Sequence, residues 1–379
     1  MNINQRKIRS LEDITGLFFD FDPDVFLLFV SPGFPRPELA VRDLHLAYPA
    51  ALMLGCSTAG EILGNQVLDD TIALTAVKFE NTRIRSTEVD MASQQMDSFR
   101  TGERISENLY AEDLRHIFVL SDGLVVNGAE LVKGLQAKVP ETVSITGGLA
   151  GDGSNFEHTF VVHAGGIHTR KIVALGFYGT NLKIGFGSKG GWDSFGIERL
   201  VTRSEGNILY ELDGKPALEL YKSFLGEKAN ELPGSGLLFP LSMRDTENQS
   251  PVVRTILAVD EEKQSLTFAG DIPEGAYVRL MKANIDRIID GAEQSARISR
   301  EFDHNSHQLA LLISCVGRRL VLKQLAEEEV EAVNEVFDNK IFTTGFYSYG
   351  EIAPFGQFAP CSLHNQTMTI TTLAEITDA

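Results

Sequence analysis

Cysteine is scarce in this chain. Three occur in 379 residues, Cys56, Cys315 and Cys361, an odd number with no C-x-x-C pair. That argues against a disulfide framework and for reduced thiols in a cytoplasm. Long apolar runs are also missing. The longest candidates, DVFLLFV (24–30) and LALLISCVG (309–317), are strand-sized, well short of the roughly 18 residues that a membrane-crossing helix needs. The opening MNINQRKIRSLEDITG has basic residues but no apolar stretch behind them, so it does not read as a secretory signal. Positive charge is in deficit: 34 Lys+Arg against 52 Asp+Glu leaves −18. Such a surface repels phosphate backbones and anionic lipid, so neither nucleic acid nor a membrane is expected as a partner. No P-loop, HExxH, EF-hand loop or CxxCH is present.

What is there is ordinary for a folded protein: 43% hydrophobic and 23% charged residues. The length suits about two domains. Residues 1–23 read as a lead-in or a short helix, 24–190 as a first domain, 191–373 as a second and 374–379 as an acidic tail. In the first domain, strands are expected at 24–30, 51–55, 117–121 and 143–146, with helices at 37–47, 92–110 and 127–138. Thr71–Phe79 and Arg83–Val89 read as a hairpin, and 159–183 as successive strands. In the second, 207–230, 282–302 and 318–337 read as helices, the last two from apolar positions at helical spacing. Strands are expected at 251–260, 265–270, 277–281, 309–315, 342–347 and 367–373. The expected class is α/β in the α+β mixed sense: two domains, each with mixed sheets and packed helices, and a ligand cleft between them or at strand ends.

Several motifs fail on inspection. GFGSKG (185–190) matches GxGxxG but has no helix pattern after it, so it reads as a flexible interdomain turn rather than a dinucleotide loop. GCSTAGE resembles a nucleophile elbow but carries Ala59 where GxSxG needs glycine. A hydrolase using Cys56 or Ser57 therefore stands only as an alternative, and catalysis is not expected. His304 and His307 form HxxH beyond a helix end, which reads as a solvated pair rather than a metal site.

One pattern recurs. Gly55-Cys-Ser-Thr-Ala-Gly60-Glu61, Gly147-Gly-Leu-Ala-Gly151-Asp152 and Gly345-Phe-Tyr-Ser-Tyr-Gly350-Glu351 each carry an apolar strand into glycine and then a carboxylate. Singly, each acid reads as a cap. As a set, the three turns suggest a shared cleft for a ligand bearing an amine or guanidinium. Cys56, Ser57, Thr58, Glu61, Asp152, Tyr349 and Glu351 are its candidate residues. His364 and Asn365 add a donor or acceptor and an amide beside them. Arg254 is placed to clamp a ligand carboxylate, with an interface ion pair as its ordinary alternative.

GCSTAGEI, GGLAGDG, YGEIAP and LHNQTMT, in that order and with DIPEGAYVRLM (271–281) between them, resemble the FIST family, over about residues 24–373. The resemblance implies a cytoplasmic signal-input module for a small ligand, with amino acids as the proposed class. Such modules act with histidine kinases, chemoreceptor signalling domains or cyclic-di-GMP enzymes. No output domain is read in this chain, so the expected partner is a separate protein such as a histidine kinase. A stand-alone subset is described as haem-based nitric-oxide sensors. That alternative needs an axial ligand in an apolar pocket, for which His45 and His364 are the candidates. The resident cofactor expected otherwise is none. A Soret band would mark haem, saturable heat an amino-acid sensor, and selective labelling of Cys56 or Ser57 an enzyme.

Overall fold

The computed structural model describes residues 1–244, 251–300, 308–354 and 360–376. Its buried apolar runs become three parallel strand pairs. Val25–Val30 lies beside Leu52–Ser57, Leu114–Ser121 beside Ser144–Leu149, and Gln308–Cys315 beside Phe342–Ser348. Parallel neighbours cannot be joined by a tight turn. Each pair is connected by helix: Pro37–Ala47, Gly128–Ala137, and in the third case Val316–Leu322 followed by Ala326–Val336. Local sequence starts these helices. Pro37 fills a first turn where no amide bond is lost. The Asn127 side chain accepts from the amides of Ala129 and Glu130.

The first strand of each pair has an antiparallel neighbour, Ile72–Lys78, Lys171–Tyr178 or Met368–Glu375. An edge strand lies outside it: Asn2–Ile8, Arg83–Asp90 or Leu182–Lys189. The second strand of each pair receives a hairpin from another unit. The hairpin after Leu52–Ser57 (61–68) joins Phe342–Ser348. The one after Ser144–Leu149 (161–168) joins Leu52–Ser57, and the one after Phe342–Ser348 (350–364) joins Ser144–Leu149. Three units of one topology thus exchange hairpins in a ring and build three six-stranded sheets among the described residues.

The third unit is interrupted. Between its edge strand and the helix Ile285–Ser299 the chain forms an inserted body, residues 192–283, with a nine-stranded sheet and the helix Ala217–Leu225. It has its own core around Leu209, Tyr221, Ile256 and Phe268. The ends of this insertion are neighbours: Trp192 pairs with Ala283.

The mixed α/β class holds, with differences in detail. The lead-in contains the edge strand Asn2–Ile8 and a 3-10 turn at Leu11–Asp13. Ile72–Lys78 and Arg83–Asp90 are strands but belong to different sheets, so they are not a hairpin. Residues 208–216 are a strand turn rather than helix, because Asp213-Gly214 adopts the two left-handed conformations of a tight turn, φ 51° and 73°. The helix expected at 318–337 breaks at Lys323, φ 53°. GFGSKG is strand, not a flexible turn. Gly185 and Gly187 leave room for the backbone of Ser299 and Ser295, which seats the helix Ile285–Ser299 on the sheet. The sheets also group the chain otherwise than a cut near 190. Residues 308–354 and 360–376 complete the same sheet system as residues 1–189, and among the described residues the sheet of 192–283 is separate. Within the segment read as a tail, Ala374 and Glu375 end a strand, and Glu375 accepts from the amides of Glu80 and Asn81. His304 and His307 lie outside the described residues.

Candidate functional site

The three glycine-acid turns do converge. Gly55, Gly147 and Gly345 occupy the same ladder position, opposite Leu28, Val119 and Leu312. At each, a Cβ would fall on the partner's carbonyl, so only glycine fits. Beyond them the turns are stitched head to tail. The Ala59 amide donates to the Tyr347 carbonyl (2.8 Å), Gly151 to Ser57 (3.0 Å) and Tyr349 to Leu149 (3.2 Å). The recurrence in sequence is therefore the same place in three units, joined by a closed ring of backbone bonds.

The acids on these turns do not open into one hollow, as the sequence led us to expect. Each is consumed by local donors. Glu61 is fully buried and accepts from the hydroxyls of Thr58 and Thr71 and from the Thr71 amide. Glu351 repeats the arrangement with Ser348 and with the Thr367 hydroxyl (2.9 Å) and amide (3.2 Å). Asp152 accepts from the amides of Phe156, Glu157 and His158 and from the Tyr349 hydroxyl. Burial outweighs these bonds in the two glutamates. It pushes Glu61 up to about 7 and Glu351 up to about 8. At neutral pH Glu351 is largely a neutral acid, so the expected row of anions facing a cationic ligand is absent.

The remaining candidates separate into two groups. Cys56 is buried between Phe29 and the swapped hairpin, and burial pushes its thiol up, away from nucleophilic character. The Ser57 hydroxyl accepts from the Phe160 amide (3.0 Å) and is equally buried. Neither has the exposed, base-paired setting of an acyl-transfer nucleophile. Of the two histidines named for a haem, His364 is held by a backbone bond and His45 is half-buried. His364 Nε2 is bonded to the Ala353 carbonyl at 2.8 Å, and burial holds its ring down to about 4. His45 packs against Gly165 at a helix end. Among the described residues no cluster of His, Cys, Asp or Glu has the form of a metal site.

Arg254, Asn365 and Tyr349 do come together, at the seam between the inserted body and the third unit. The Arg254 guanidinium donates to the carbonyls of Asp271 (3.2 Å), Val253 (3.3 Å) and, across the seam, Leu363 (3.3 Å). Asn365 accepts from the Thr255 amide (3.4 Å) and donates to the Tyr349 carbonyl (3.4 Å). Gln366, not singled out from the sequence, joins them. Its amide donates to the Leu237 carbonyl (2.9 Å) and the Thr255 hydroxyl (3.1 Å), while its Oε1 is buried with no bonding partner among the described residues. Asn127 and Lys133 hold Asp271 at the seam's flank. A signal for Gln366 existed in its place before the returning strand. Asp70, Arg170 and Gln366 share that place and a left-handed backbone, φ 54°, 56° and 63°.

Comparison with known proteins places the chain. The FIST N domain matches residues 24–215 and the FIST C domain residues 217–354. The chain belongs to the FIST family. FIST domains are small-ligand-sensing domains. The junction of the two FIST matches falls inside the inserted body. A protein of Methanocaldococcus jannaschii described as uncharacterized is 26% identical over 350 residues, which cover 86% of this chain and 65% of that protein. The chain thus spans less than two thirds of that relative. Among solved structures, a cyanuric acid hydrolase from A. caulinodans aligns over 99% of both chains at 9% identity and a TM-score of 0.38. A second cyanuric acid hydrolase structure aligns over 99% of both chains at 11% identity and 0.34. Likeness at that level carries no argument about chemistry.

Proposed function

We propose that this FIST protein is a signal-input module that binds a small polar ligand, an amino acid, at the seam between its three-unit core and its inserted body, and passes the signal to a separate partner such as a histidine kinase. The observation that carries the reading is the unpartnered Gln366 Oε1. A buried acceptor without a donor costs stability, commonly about 1–3 kcal/mol, and a ligand ammonium or a water would supply the donor. The seam side chains, Arg254, Asn365 and Gln366, offer donors and acceptors for both ends of an amino acid. Binding there would bias the inserted body between two positions and change the surface offered to a partner.

Isothermal titration of the purified chain with a panel of amino acids tests this. Saturable heat with one member, reduced at least about tenfold in Gln366→Leu as one charge-assisted bond is lost, is the expected result. No heat with any member, or heat indifferent to Gln366→Leu and Asn365→Leu, removes the seam as the site. The kinase reading is checked by autophosphorylation of a co-purifying kinase with and without that ligand. A rate unchanged by the ligand removes it.

A further inference from the structure

The three units meet through three equivalent clefts, each between the edge strand of one sheet and the strand pair and hairpin of the next. Two of them are closed by polar side chains. In one, Gln5 donates to the Thr343 carbonyl (2.9 Å) and Lys7 to Gln66 (3.2 Å). In another, His163 meets Ser86 (3.1 Å) and Glu88 (3.2 Å). In the third, the edge strand Leu182–Lys189 turns Leu182, Ile184 and Phe186 toward Ile145 and Cys361, and a cleft of about 940 Å³ remains between them. Ladder position makes the difference concrete: Phe186 stands where the other units have Gln5 and Ser86. The hairpins differ too. The first two turn in two residues, after Leu63 and after His163, while the third pairs as far as Pro354 with Cys361.

We infer that this third cleft binds an aliphatic carboxylate. Its wall is apolar on the edge-strand side, its charged lining residues are the exposed Arg115 and Glu141, and Arg115 has no ion pair among the described residues. The volume lies at the upper end of the range for small-molecule sites. It is larger than a free amino acid requires and suits a flexible hydrocarbon chain lying along Leu182, Ile184 and Phe186. Burial of the chain supplies affinity, and the guanidinium fork selects the carboxylate head over a cationic or neutral one. The inference goes beyond the seam reading and does not depend on it.

The test titrates the whole chain with dodecanoate below its micelle concentration. One saturable binding event is expected, weakened about tenfold or more in Arg115→Ala, the loss expected for one charge-assisted bond. Dodecylamine should bind more weakly than dodecanoate. Phe186→Trp supplies a readout in the cleft itself, and its emission should shift on adding dodecanoate. Asn365→Leu, at the seam, should bind dodecanoate like the unaltered chain, which keeps this result separate from any failure of the seam reading. Absence of saturable binding, equal affinity for the amine, or affinity unchanged in Arg115→Ala would each overturn the inference.

Discussion

Glu61 and Glu351 occupy one position in two units and share one set of partners, a hydroxyl three residues earlier and a threonine that opens the returning strand. Their folded values, about 7 and about 8, stand above the ordinary 4.5. The folded chain therefore keeps protons that the unfolded chain has released. Stability from these groups is full below about pH 4.5 and is lost as pH climbs through about 7 and 8. Asp69 adds to the rise at Glu61, while Arg318 partly opposes it at Glu351. His116 and His364 act oppositely. Burial lowers them to about 3 and about 4 from 6.5, so their contribution is lost as pH falls below about 6.5. Urea midpoints across pH 4.5–9 should show stability declining on the alkaline side, and Glu351→Gln, which mimics the neutral acid, should flatten that decline. An unaltered slope in the variant would contradict the burial argument. A second residue-scale expectation concerns Arg318 and Glu329, paired at 2.7 Å with no side-chain exposure. Glu329 also accepts from Tyr347 (2.7 Å) and Ser314 (3.1 Å). Removing one partner strands a buried charge, so Arg318→Met should cost about 3–5 kcal/mol in chemical denaturation, and Arg318→Met with Glu329→Leu should cost less than the single change.

At the scale of elements, the decisive contacts are between backbones. Gly345 lies against the Leu312 carbonyl, and Gly55 and Gly147 against those of Leu28 and Val119. Gly345→Ala must push a ladder apart and should destabilise by more than about 2 kcal/mol, in the range of backbone-strain and overpacking changes. Gly64→Ala, at a two-residue turn with open space around it but φ 60°, should cost only about 1 kcal/mol, the left-handed penalty alone. Thermal melts of the two variants compare them directly, and equal losses would refute the ladder argument. The helix Ile285–Ser299 follows the same logic. Its Ser299 and Ser295 lie against the strand glycines Gly185 and Gly187, and its Gly291 against the Gly190 carbonyl. The apolar period expects a stripe of Ile285, Ile288, Ile289, Ala292, Ala296 and Ile298; of these Ile288, Ala292 and Ala296 are buried, Ile285 is exposed, and the small residues Gly291, Ser295 and Ser299 complete the buried face.

For the whole molecule, the pairing of Trp192 with Ala283 makes the inserted body removable in principle. Replacing residues 193–282 with a short turn should leave a chain that still unfolds cooperatively, because all three six-stranded sheets lie outside the excised segment. Its midpoint should be lower, since Leu363, Asn365 and Gln366 lose their cover. A molten product lacking a near-ultraviolet signal would mean that the core depends on the inserted body. The same architecture limits what the sequence could reveal of the site. The recurrence at 61, 152 and 351 is legible because three units repeat one turn. The reading of a shared acidic cavity failed because each acid is satisfied by nearby groups: Asp152 by the amides of Phe156, Glu157 and His158, and Glu61 and Glu351 by a hydroxyl three residues earlier and by Thr71 and Thr367 at the start of the returning strands. Arg254, Asn365 and Tyr349 were legible as polar residues near strand ends. Gln366, in the same motif, gained its role only when residues 237 and 255 folded over it.

The sequence by itself determined the six buried strands of the parallel pairs and most of the helices around them, since those follow from apolar runs, period and caps within reach of a few residues. It also determined the three equivalent turns and, through their motifs, the FIST family. Tertiary structure alone decided which hairpin joins which sheet, because a hairpin's unpaired edge is chemically the same whichever unit receives it. It decided too that burial raises two interior glutamates well above the ordinary carboxyl range, since a carboxyl's charge depends on the water taken from around it and not only on its neighbours in the chain.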